Sequence, residues 1–102
     1  MSALALAARR TAFEHWFGIS CAQAEVLALL FQAGGQFLST AQIAVMEGAT
    51  HENVMVRINR LRQALETEAI DTVRGAGYRL TEVGLAECRQ ALAEFAVSLA
   101  AE

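Results

Sequence analysis

The chain has 102 residues, 55% of them hydrophobic, no proline, and a formal net charge of −3. That length holds one domain around one core, and its 21 alanines, strong helix formers, point to a mainly helical soluble domain. The acidic balance makes general charge attraction to a polyanion weak. All eight cationic residues are arginine.

The opening "SALALAARR" places its positive charge after the apolar run, the reverse of a secretory segment. Nothing approaches the ~18 consecutive apolar residues of a membrane span, so a cytoplasmic protein is expected. Cys21 and Cys88 stand alone, without the spacing of a disulfide framework or a zinc site.

Residues 3 to 17 read as a first helix, with Leu6, Arg10, Phe13 and Phe17 on one side and Gly18 ending it. "SCAQ" at 20 to 23 is a capping box that opens a second helix carrying Val26, Leu27 and Leu30. Gly34-Gly35 stops it, and "QFL" at 36 to 38 reads as one short strand. Ser39 or Thr40 then caps a brief helix containing Ile43, Ala44 and Met46, which ends at Gly48.

Thr50 is placed to cap the next helix, "HENVMVRINRLRQALE" at 51 to 66. At the helical period Val54, Ile58, Leu61 and Leu65 fall within about a 60° sector and form its buried stripe. Asn53, Val56, Arg57 and Arg60 occupy an adjoining exposed face, and Arg62 the other flank of the stripe. Residues 51 to 80 hold five of the eight arginines and four of the eleven acids. Positive charge is therefore concentrated in a chain that is otherwise acidic.

A hairpin follows, with Ile70 to Arg74 and Tyr78 to Leu80 as arms and Gly75-Ala76-Gly77 as the connection. This register sets Arg74 opposite Tyr78, with Thr72 on their face. It also puts Leu80 on that face, so a bulge beside Gly77 is expected. Tyr78 is placed to anchor the hairpin, to touch a partner, or both. Thr81 is placed to cap a last helix of about 17 to 20 residues. Two helices joined by a short glycine turn, the second rich in arginine, then an arginine-tipped hairpin, describe a winged helix-turn-helix. The fold class is therefore mainly α, in the α+β sense: a core at 19 to 80 with a short β-hairpin wing, preceded by a helix at 1 to 18 and followed by one at 81 to 102.

"VMVRINRLRQALE" at 54 to 66 and "IDTVRGAGYRL" at 70 to 80 resemble the recognition helix and wing of the DNA-binding domain of OmpR-type response regulators. The resemblance spans about residues 19 to 80. It implies a double-stranded DNA-binding transcription regulator without cofactor or metal, with contacts at Arg57, Arg60, Arg62, Thr72, Arg74 and Tyr78. Helical geometry adds Asn53 to that face. A helix stands where the family places a small sheet, and the loop with which the family touches polymerase is short here. No receiver domain precedes it, so control by an aspartyl phosphate is not expected. Glu52 and Met55 depart from the family's usual residues, so its base preference is not carried over.

The flanking helices, with "YRLTEVGLAE" leading into the last, are similar to MarR-type regulators, which dimerise through terminal helices. Leu85, Cys88, Leu92, Phe95 and Leu99 recur at spacings of 3, 4, 3 and 4, the seam of a helix packed along its length. Phe13, Trp16, Phe17, Leu92, Phe95 and Leu99 are therefore expected at a homodimer interface. That dimer would act in the cytoplasm, associated with the nucleoid when DNA is bound. The other readings are a winged helix that binds RNA polymerase or another regulator, and a small-molecule or redox sensor that also binds DNA. For the last, Cys21 near a helix N-terminus would carry a lowered pKa, but the expected role of Cys21 is that of a structural small residue. His15 and His51 show no ligand pattern, and no nucleophile–base arrangement points to an enzyme.

Overall fold

The computed structural model describes residues 3–100, with side chains from residue 7 onward; the side chain of Leu6 lies outside the described residues. In chain order the elements are α1 (Ala3–Phe17), α2 (Cys21–Gln32), α3 (Thr40–Glu47), α4 (His51–Ala64), β1 (Ile70–Val73), β2 (Gly77–Leu80) and α5 (Glu82–Ala100). This is the expected α+β winged helix with an added helix at each end.

Local chemistry sets most of the boundaries. Ser20 and Ser39 each accept from the amide three residues on, and Gln23 and Gln42 reach back to the capping residue's own amide. Both are complete capping boxes that satisfy otherwise orphaned donors. Gly48 closes α3 in the left-handed region, at φ 59°. Thr50 caps α4 through the Asn53 amide. Thr81 takes the Gly84 amide and donates its own hydroxyl to the carbonyl of Glu68, tying the start of α5 to the loop before β1. α4 is slightly shorter than its periodicity suggests, ending at Ala64 with Leu65 as an extended cap.

Val54, Ile58, Leu61 and Leu65 are all buried, facing Val26, Leu27 and Leu30 of α2 and Ile43 of α3. Leu85, Cys88 and Ala91 bring the first half of α5 into the same core. α1 packs along α2 and α5. Phe13 is fully buried, its ring 6.1 Å from Phe17 and 6.0 Å, edge-on, from Phe31. Phe13 is thus a core residue of the monomer and is removed from the expected dimer surface. Phe17 and Leu92 are partly buried against the same cluster.

The turn lies one residue earlier than expected, which moves the partner of Tyr78 from Arg74 to Thr72. The pairs are Ile70 with Leu80, Asp71 with Arg79, Thr72 with Tyr78, and Val73 with Gly77. Arg74 therefore lies in the turn, where the Ala76 amide bonds back to the Val73 carbonyl, rather than opposite Tyr78. No bulge interrupts the ladder: Tyr78 and Leu80 point together into the core, so Leu80 needs no accommodation on a polar face. The short strand expected at 36 to 38 reduces to one bridge, in which Leu38 and Tyr78 exchange both backbone hydrogen bonds. Gly77 makes that approach possible. A Cβ there would collide with the Leu38 carbonyl.

Candidate nucleic-acid interface

The wing and α4 are held together by side chains. Arg62 donates to Thr72 Oγ1, and its guanidinium lies 6.0 Å from the centre of the Tyr78 ring. One arginine thus braces the base of the wing against α4. A guanidinium carries five N–H donors, so the bond to Thr72 leaves others for a partner. Tyr78, only 9% exposed, supports Arg62 from below as a core anchor. Its ring is not at the surface of the wing.

Five arginines were expected to gather here, and their situations differ. Arg79 is tied to Asp71, 3.2 Å away across the hairpin, and lies 4.9 Å over the Phe37 ring. Arg57 is half-buried and lies 3.8 Å from Glu47 at the end of α3. Arg60, on the exposed face of α4, and Arg74, at the tip of the hairpin, make no ion pair among the described residues. Within residues 51 to 80 they are the cations most available to an anion. Asn53 is exposed on the same helix, one turn before Arg57.

Between the wing and the start of α3 runs a cleft of about 340 Å³, lined by Ser39, Thr40, Ala41 and the residues of the turn from Thr72 to Tyr78. Sequence reasoning did not include the α3 end in the site. The Ser39 capping box was its visible signal, because a capped helix N-terminus presents the positive end of the helix dipole. Glu47 was missed as well. A carboxylate in the last turn of a helix opposes the dipole, and that unfavourable placement was the clue to a partner elsewhere, Arg57.

The redox reading of Cys21 gains no support from its surroundings. Desolvation, with Glu25 and Glu14, outweighs Arg10 and raises the thiol's pKa, so the helix end does not make it a reactive thiolate. Cys88 is buried and pushed up to about 12, chiefly by burial. No group of His, Cys, Asp and Glu among the described residues could hold a metal ion. No described helix is long and apolar enough to cross a membrane.

Residues 18–80, from the turn before α2 through the end of the wing, match the protein family described as "Transcriptional regulatory protein, C terminal". The chain belongs to this family. A search of curated proteins and of solved structures returned no significant match. As a transcriptional regulatory protein C-terminal domain, it is a DNA-binding domain of a transcription regulator. The matched span covers α2 to β2, the elements that carry Arg57, Arg60, Arg62, Thr72 and Arg74. It leaves out α1 and α5.

Proposed function

We propose that the domain binds double-stranded DNA sequence-specifically, with α4 in the major groove and the wing on the adjoining backbone or minor groove. Asn53, Arg57 and Arg60 face the base edges and flanking phosphates, Arg62 and Thr72 join helix to wing, and Arg74 supplies charge from the tip. Tyr78 serves this interface as the anchor beneath Arg62. The observation that supports the reading is the placement of two exposed arginines that make no ion pair among the described residues. Arg60 and Arg74 stand on the two elements a winged helix offers to DNA, locked to each other through Arg62 and Thr72. Arginine suits both positions because its planar fork pairs with guanine or phosphate. Because the chain is acidic overall, affinity comes from this local cluster, and each phosphate contact contributes about one unit to the salt slope. Titrating a labelled duplex at increasing salt tests it: binding should weaken steeply, whereas retention insensitive to salt contradicts it.

The same reading includes a two-fold homodimer formed through the terminal helices. With Phe13 in the core, the surface left for it is Trp16, Phe95 and Leu99, joined by Val97. Leu99 is 56% exposed, and Trp16 and Phe95 line a groove of about 200 Å³ between α1 and α5. Such a dimer would set two recognition helices on half-sites about one helical turn apart.

One observation favours a second reading, contact with RNA polymerase or another regulator. On α3, Val45 is 83% exposed, and with Met46, Leu38 and Ala41 it lines an apolar groove of about 370 Å³. Exposed apolar residues grouped in this way suit a protein partner.

A further inference from the structure

Two carboxyl groups meet where α2 and α3 abut α4. Glu25 of α2 and Glu47, the last residue of α3, are close enough for their carboxyl groups to interact through a shared proton. A bond between carboxyl groups requires a proton in it, since an ionised carboxylate only accepts. On one side Arg10 Nη1 of α1 lies 3.3 Å from Glu25 Oε1. On the other, Arg57 Nη1 of α4 lies 3.8 Å from Glu47 Oε1. Four charged side chains thus form a row that begins on the added N-terminal helix and ends on the recognition helix.

The row is not saturated. The Glu47 side chain is only 9% exposed, and its Oε1 has no hydrogen-bond partner, the contact to Arg57 being too long to count as one. A buried acceptor left in this state is costly, and an ionised one more so. The other titratable groups facing the pair are Glu14 of α1, 3.6 Å from Arg10 Nε, and Cys21 of α2, whose Sγ is 3.7 Å from Glu25 Oε1. Neither donates to Glu47. The charge state of Glu47 therefore depends on Glu25 and Arg57.

We infer that Glu47 is a positioning residue for Arg57: ionised, it holds the guanidinium against the end of α3, and protonated, it releases it to DNA, so that binding a duplex takes up a proton. This rests on the DNA-binding reading given above. Burial, reinforced by the interaction with Glu25 and by its charge, pushes the Glu47 carboxyl up to about 7, with Arg57 pulling it down. Glu25 is held below its ordinary value, first by the interaction with Glu47 and also by Arg10. The pair thus shares one proton at mildly acidic pH, resident on Glu47, and loses it near neutrality. Moving Arg57 onto DNA withdraws the cation that favours ionised Glu47 and brings phosphates nearer. Both changes make the complex bind the proton more tightly than the free protein does. Linkage then requires affinity to fall as pH rises through about 7.

The test uses the full chain and two probes: a duplex of about 30 base pairs selected from a random pool, and a random-sequence duplex of the same length. Wild-type affinity for the selected duplex should be roughly three- to tenfold weaker at about pH 8 than at about pH 6. Glu47→Gln should bind at both pH values as the wild type does at the lower one. His51 lies at the start of α4, so His51→Gln serves as the control and should keep most of the dependence. Carboxyl carbon NMR of the free protein should show Glu47 titrating near neutrality, with its midpoint moved upward in Arg57→Ala. An unchanged pH dependence in Glu47→Gln overturns the inference alone, as does a Glu47 midpoint in the ordinary carboxylate range. Failure of the wild type to hold either duplex at any pH overturns the DNA-binding reading and this inference with it.

Discussion

Replacing Gly77 by alanine would act on the backbone bridge that joins the wing to the segment before α3. Gly77 has φ +114°, and a Cβ there would meet the Leu38 carbonyl and the Cα of Ser39 well inside contact distance. An L residue at positive φ costs about 1–2 kcal/mol. Relief of the collision requires β2 to move off Leu38, which breaks the paired bonds from Leu38 N to Tyr78 O (2.8 Å) and from Tyr78 N to Leu38 O (2.9 Å). At roughly 0.5–1.5 kcal/mol each, the total destabilisation is about 2–5 kcal/mol, a large share of a small domain's stability. Gly75 provides the comparison. Its φ is +88°, but a Cβ there meets nothing within 4 Å, so Gly75→Ala should cost only the conformational part, about 1–2 kcal/mol. Urea unfolding followed by far-ultraviolet circular dichroism measures both variants, provided the slope with denaturant is unchanged. Equal midpoints for the two would refute the reasoning, because the bridge to Leu38 would then contribute nothing.

Arg60→Ala should weaken binding to a selected duplex roughly 10- to 100-fold and relax preference at one base position, a result that competition among single-base variants of that duplex can read. Arg74→Ala should instead weaken selected and random duplexes alike and flatten the salt slope by about one unit; a change in specificity at constant slope would contradict a phosphate contact. Trp16→Glu with Leu99→Glu should convert a dimer to a monomer in sedimentation equilibrium at tens of micromolar, and a wild type already monomeric there would dismiss the terminal-helix dimer. The Glu25–Glu47 pair also sets the pH dependence of stability. Glu47, raised to about 7, contributes stability that is whole below the ordinary carboxylate range and lost as pH rises through about 7. Glu25, lowered, contributes stability that is whole above the ordinary carboxylate range and lost as pH falls toward its own depressed value. The pair's contribution therefore peaks within the ordinary carboxylate range and declines toward neutrality, and Glu47→Gln should remove the decline. Parallel stability profiles for the two proteins would show that the pair does not do this.

Features determined by neighbouring residues were legible in the sequence. The Ser20 and Thr50 caps depend on amides three residues away, and the stripe of Val54, Ile58, Leu61 and Leu65 depends on helical period alone. The hairpin register was harder, because a three-residue connection could be drawn at 74 to 76 or at 75 to 77. Leu80 held the answer. An apolar residue two positions after Tyr78 shares its face, and the core claims both. What the sequence could not give were encounters between distant segments. Phe13 is buried because Phe31 of α2 meets its edge, so a stripe that reads as a dimer seam partly covers the monomer's own core. The arginines of α4 read alike on a helical projection. Only the fold separates them: Arg57 faces Glu47, Arg62 bonds Thr72 and Arg60 makes no ion pair among the described residues.

The most direct test of sequence-specific DNA binding is selection from a random duplex pool. Purified protein is incubated with duplexes of random sequence at about 100 mM salt, and the retained fraction is amplified and sequenced over several rounds. One motif should be enriched, arranged as an inverted repeat about one helical turn apart if the dimer forms, and that enrichment should be lost in Arg60→Ala. Retained pools as diverse as the input would contradict sequence-specific binding, and so would a motif enriched equally by Arg60→Ala combined with Arg74→Ala.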